Sequence, residues 1–262
     1  MSLLQVAPLA DRLSEAVRAR TTRLILGGAA MAWLALSIPW SGSGAVGQPH
    51  ANHAHAVAPV ADVVDVVDPW SLTWMTSWLL MVIAMMWPLA VPTVGAVSCS
   101  SFRGWRTRLQ AVCLATVTVL WLAVGLAGAL LARSLGVPAG SVWWQLAFVG
   151  VALAAFRSAR RARVLETCLR LPPLAPGGRR GLVTAGKAGL LTWRRCALLC
   201  GPVMLAMAVG HSAVLMVCAS LAAWWESWHP RAWRDRVPVM LVAAGGLWLL
   251  GSALFAQGVG HG

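Results

Sequence analysis

Tyrosine is absent from the sequence, phenylalanine occurs four times, and only eight of 262 residues are acidic. Charged residues of both signs make up 11%, against about a quarter in soluble domains. That is too little charge to cover a water-facing surface. Ten-residue segments of alternating polarity are missing, which excludes a transmembrane β-barrel. There is no P-loop, no H-E-x-x-H, and no serine with partnering histidine and aspartate in a recognisable context, so no catalytic residues are assigned and a non-enzymatic role is expected. Internal repeats are lacking, and no apolar span carries an ionisable residue at its centre, which argues against an ion pump or proton-coupled transporter. The six cysteines (Cys99, Cys113, Cys168, Cys196, Cys200 and Cys218) lie in or beside apolar segments and give no disulfide framework.

What the chain does have is apolar length. Hydrophobic residues make up 59% and arrive in blocks of about twenty, enough to cross hydrocarbon as helices. Backbone polar groups in such blocks must be satisfied internally, so the expected fold is an all-α membrane protein, a bundle of about seven transmembrane helices. Sixteen tryptophans supply the interfacial belts that tyrosine would otherwise share. Residues 1–23 form a basic N-terminal segment, amphipathic over Asp11 to Arg23. The first span, 24–40, is read as retained rather than as a cleaved signal sequence. A loop over 41–69 carries His and Asp. Six further spans fill 70–256, near 70–97, 109–131, 142–156, 196–209, 211–225 and 237–256, followed by a tail over 257–262. Asp68-Pro69 reads as a helix N-cap followed by proline in the first turn. A basic loop is expected over 157–195, broken by LPPLAPGG at 171–178. The fifth and sixth spans are short.

With the N-terminus cytoplasmic, the inner segments hold 20 of the 21 basic residues and leave only Arg133 outside. An odd number of spans is needed for this bias, which puts the C-terminus outside the cytoplasm. The net charge of +13 is then a product of topology. Its partner is anionic lipid at the cytoplasmic face of a bacterial inner membrane rather than nucleic acid.

Three groups of residues have metal-ligating chemistry. His50, His53 and His55 lie in the outer loop, with His211 at the turn between spans five and six. Imidazoles of this kind, with Asp62, Asp65 and Asp68 nearby, suit copper(II) or zinc. A solvated loop is the plainer reading. Met75, Met81, Met85 and Met86 lie in the second span, and thioethers favour copper(I); a plastic packing face is the alternative. Cys196 and Cys200, at i and i+4, share one helical face that Met204 and Met207 continue, either as a soft-ion or redox pair or as small buried apolar side chains. Cys196 and His211 are separated by roughly 22 Å on a continuous helix, so metal chemistry would need two sites at opposite faces. Gly125, Gly128, Gly245, Gly246 and Gly251 read as small-residue packing faces.

WLLMVIAMMWPLAVP (Trp78 to Pro92), CALLCGPVMLAMAVG (Cys196 to Gly210) and WESWHP (Trp225 to Pro230) together resemble a bacterial family described as predicted metal-binding integral membrane proteins. The resemblance spans about 70–250. Met85, Met86 and Pro88 fall on the family's A-M-M-x-P signature, and Cys196, Cys200 and Met204 on its C-x-G-C-C-W-x-L-M pattern. Leu198, Leu199 and Gly201 depart from that pattern, and one cysteine is lost. Glu226 falls on a family glutamate, but Ser227 replaces the lysine that follows. The resemblance implies membrane location and metal handling.

The expected function is therefore binding or passage of a soft or borderline metal, copper first, at His50, His53, His55 and His211 outside and at Cys196, Cys200, Met204 and Met85 within the spans. A structural or assembly subunit of a larger, copper-dependent membrane enzyme is the rival, with other membrane subunits as partners. A solute transporter is the third reading.

Overall fold

The computed structural model describes residues 3–37, 68–158, 173–210, 212–228 and 236–259, and the regular elements among them are all helices. Helix α1 (Leu3–Ser37) joins the basic N-terminal segment to the first apolar stretch without a break. Helix α2 (Leu72–Ser100) begins three residues later than Asp68-Pro69 suggests. Its N-cap is Ser71, whose hydroxyl accepts the Trp74 N–H at 3.2 Å. Asp68 instead accepts the Trp70 N–H at 3.2 Å, closing a turn before the helix. Asp68 also meets the Arg133 guanidinium at 3.5 Å on the exposed surface.

Helix α3 (Arg106–Ser134) ends where Gly136 turns left-handed at φ +64°. The Val137 N–H then reaches Ala132 O and the Gly136 N–H reaches Arg133 O, which occupies the last carbonyls. Helix α4 spans Val142–Phe156, the expected limits, with Ser141 as N-cap. Helices α6 (Ala213–Trp228) and α7 (Val237–Val259) complete the chain.

Helix α5 corrects the sequence reading. It runs over Gly178–Met207, so 178–195 is helix rather than the second half of a basic loop. The segments Gly178–Leu198 and Cys200–Met207 meet at a bend of 77°. Pro202 accounts for it, since its ring lacks the N–H owed to Leu198 O and crowds that carbonyl. The straight-helix separation of Cys196 from His211 therefore does not apply.

Three helices are long and apolar enough to cross a membrane, α2, α3 and α7, and α5 makes a fourth if its two halves form one span. Helices α4 and α6 are apolar but shorter. Helix directions follow from side-chain contacts. Arg18 lies by Gly95 and Gly28 by Trp87, so α1 runs antiparallel to α2. The Trp87 indole donates to Thr118 Oγ1 at 3.2 Å across the α2–α3 hairpin. Gly181 faces Leu109 and Gly189 faces Cys113, so α5 runs parallel to α3. Gly246 packs on Val149 of α4, and Gly245 on Leu215 and Cys218 of α6. Four of the five glycines expected at helix contacts are thus found there, while Gly251 faces open space.

The connection after α5 is buried at Ala208 and Val209. Its carbonyls would be costly there without donors. Trp144 Nε1 reaches Leu205 O at 3.2 Å, and Trp74 Nε1 reaches Ala208 O at 3.1 Å. The Gly140 N–H reaches Val209 O at 2.9 Å, and Gln145 Nε2 reaches Gly210 O at 2.9 Å. Gln145 is itself buried. Gln145→Leu removes one donor and leaves the carbonyl unpaired, a cost of about 1–3 kcal/mol. A fall in thermal stability in detergent would register it; an unchanged transition would show that water replaces the amide.

Candidate metal centre

Of the eight residues singled out for metal binding, His50, His53, His55 and His211 lie outside the described residues. The other four are all buried: Met85 on α2, and Cys196, Cys200 and Met204 on α5. They belong to one continuous core cluster. Methionines 85 and 204 sit in separate constellations in the sequence, and the fold merges them. Met81 and Met86 of α2, Met207 of α5 and Met216 of α6 join the same cluster. Met75 does not; it is exposed at the start of α2.

Gly125 of α3 lies against Trp78 of α2, and Gly128 of α3 against Leu205 of α5, so α3 is in close contact with both helices that carry the soft side chains. Past the 77° bend, Cys200, Val203, Met204, Ala206 and Met207 are all buried. Met216 was missed in the sequence because a lone methionine in a uniformly apolar run has no periodic partner.

The donor set is soft. Thiols and thioethers suit a monovalent copper ion, and a hard oxygen-seeking cation finds little here. Among the described residues no three of His, Cys, Asp and Glu come together as a metal-ligating group; the other soft side chains in the cluster of the two thiols are thioethers. None of the five described cysteines forms a disulfide. The Trp121 indole, fully buried in the same cluster, has an Nε1 with no hydrogen-bond partner among the described residues. Leaving such a donor unmade is costly in a dry interior.

No family model, curated protein or solved structure matches this chain.

Proposed function

We propose that the chain is a seven-helix protein of the bacterial inner membrane, N-terminus cytoplasmic and C-terminus outside, that binds a soft metal ion, copper(I), within its helical bundle. The carrying observation is the burial of Met85, Cys196, Cys200 and Met204 in one core cluster, although Met85 and Cys196 are 111 positions apart in sequence. Thiols and thioethers gathered in a dry interior select a soft, weakly hydrated ion. The antiparallel α1–α2 pair, the parallel α3–α5 pair and the membrane-length apolar α2, α3 and α7 support the topology, as does the one-sided distribution of basic residues. In this reading Cys196 and Cys200 hold the ion as thiolates, Met85 and Met204 complete its shell, and the surrounding tryptophans exclude water. The bound ion would contribute charge compensation for those thiolates.

The test is copper content under reducing conditions. Full-length protein loaded with copper(I) in detergent is expected to retain it against a chelator, and Cys196→Ser with Cys200→Ser to lose it. Met204→Leu is expected to weaken binding by at least roughly tenfold, the smallest loss usual even for groups outside the ligand shell. Copper that survives the cysteine changes but disappears on replacing His50, His53 and His55 with alanine would move the site to the outer loop and overturn the proposal.

A further inference from the structure

The exposed surface of the bundle changes character part-way along its helices rather than at their ends. On α1, Leu24, Leu26, Met31 and Leu34 are exposed on one side of Arg23, and Glu15, Arg18 and Arg20 on the other. On α3 the exposed Val119, Leu130 and Leu131 give way to Thr107 and Arg108 towards the start of the helix. On α5 the exposed face before Arg194 carries Lys187, Arg180 and Arg179 along with Val183 and Leu190. A lysine on the outer face of a helix at that depth is out of place in hydrocarbon.

These changes fall at one level. Arg18 lies by Gly95 and Gly28 by Trp87, which brings Arg23 level with Val91 of α2. The Thr192 hydroxyl donates to Thr93 Oγ1 at 3.0 Å, which sets Arg194 and Arg195 just past that same point. Arg157 stands directly after α4, at the end of that helix away from Trp144 and Gln145, which meet Leu205 O and Gly210 O. From Ser71 to Val91 a helix rises about 30 Å, the thickness of the hydrocarbon layer. Helix α2, with 29 residues, reaches about 43 Å and overshoots it. Arg23 turns its side chain back along the helix, Nε donating to Ala19 O at 3.4 Å, away from the apolar surface. None of the four arginines has a carboxylate partner among the described residues.

We propose that the inner boundary of the membrane crosses the bundle at Arg23, Arg157, Arg194 and Arg195, whose guanidinium groups take the phosphates of anionic phospholipids. The parts beyond it, namely the first half of α1, the α2–α3 hairpin end and residues 178–193 of α5, stand in water as a helical extension. Inside that extension Val94, Val97, Leu109, Cys113, Ala185 and Ala188 belong to one buried cluster, which continues past the boundary to Ile25 and Ala90. The Phe102 N–H bonds to Pro176 O at 2.9 Å and ties its two turns together. Guanidinium suits this role because its planar fork pairs with two phosphate oxygens at once. The proposal rests on the membrane topology given above.

The test uses the full chain in inside-out vesicles with a membrane-impermeant maleimide, read peptide by peptide by mass spectrometry. Val183 and Val119 are 57% and 61% exposed, so accessibility in the fold does not separate them. Val183→Cys is expected to label and Val119→Cys to be protected. Protection of both would overturn the boundary but leave the spans intact; labelling of both would overturn the membrane reading itself. In a second arm, native mass spectrometry of chain exchanged into phosphatidylglycerol or phosphatidylcholine reads the headgroup preference. That preference is expected to fall roughly fivefold per arginine changed to glutamine across the four positions. Arg133→Gln and added inorganic phosphate are expected to leave it unchanged. If the fourfold variant does not fold, Arg194→Gln with Arg195→Gln and Arg23→Gln with Arg157→Gln are read separately. An unaltered preference in the variants, or displacement of the lipid by free phosphate, overturns the phosphate belt.

Discussion

Gly125→Leu is expected to leave no folded bundle, and Gly125→Ala to lower the folded yield and the thermal transition sharply. A Cβ at position 125 would sit inside the Trp78 indole. That indole has nowhere to go. It is fully buried, its Nε1 donates to Trp121 O at 3.1 Å, and it stacks on Trp74 at 5.7 Å with planes 4° apart. Trp74 in turn holds Ala208 O. Overpacking a core costs about 1–3 kcal/mol and more when nothing can yield, against a total stability of about 5–15 kcal/mol. Combining Gly125→Ala with Trp78→Leu should restore part of the loss, because the second change vacates the space the first needs. Size-exclusion profiles and melting curves in one detergent decide it. A Gly125→Ala protein as stable as the parent would show that the α2–α3 contact is looser than described.

The second large effect is expected at Gly189. Its missing Cβ would stand 2.6 Å from the Cys113 carbonyl oxygen and 2.9 Å from Thr116 Cβ. Here the obstacle is backbone, which cannot change rotamer. A side chain at 189 must push α5 away from α3 and strain the Thr192–Thr93 hydrogen bond that links α5 to α2. Gly189→Leu should therefore abolish folding, whereas Gly186→Ala, whose Cβ would meet only Thr116 Oγ1 at 3.9 Å, should be tolerated. The pair makes the comparison informative, since both glycines lie on the same helix three residues apart. Equal losses at the two positions would overturn the close-approach account, since both changes raise helix propensity.

Much of the fold was legible in the sequence. Helix α4 has the expected limits because Ser141 and Arg157 bracket a run with no internal breaker, and the LPPLAPGG breaker does end just where α5 begins. The first half of α5 was not legible as helix. Glycine and arginine in GRRGLVTAGKAGLLTWRR keep it from looking like a span, and its buried face is made of small residues, Gly181, Ala185, Ala188 and Thr192, which carry little hydropathy signal. Their three-to-four-residue spacing was the clue. Asp68-Pro69 has the residue types of a cap, but Ser71 took the role because its hydroxyl reaches the Trp74 N–H. The soft residues of the candidate centre were each visible as types, whereas their convergence was not. Nothing local in Met85 or in Cys200 places the two in one buried cluster.

The buried connection after α5 has a consequence for how the chain is made. Its acceptors, Leu205 O, Ala208 O, Val209 O and Gly210 O, are met by Trp144, Trp74, Gly140 and Gln145. Every donor precedes every acceptor in the chain. A ribosome reading from the N-terminus therefore delivers the sockets before the plug, and the short hairpin enters a membrane in which its hydrogen-bonding partners already stand. A circular permutant beginning at α5 would reverse that order, leaving Ala208 O, Val209 O and Gly210 O without these donors until the rest of the protein arrived.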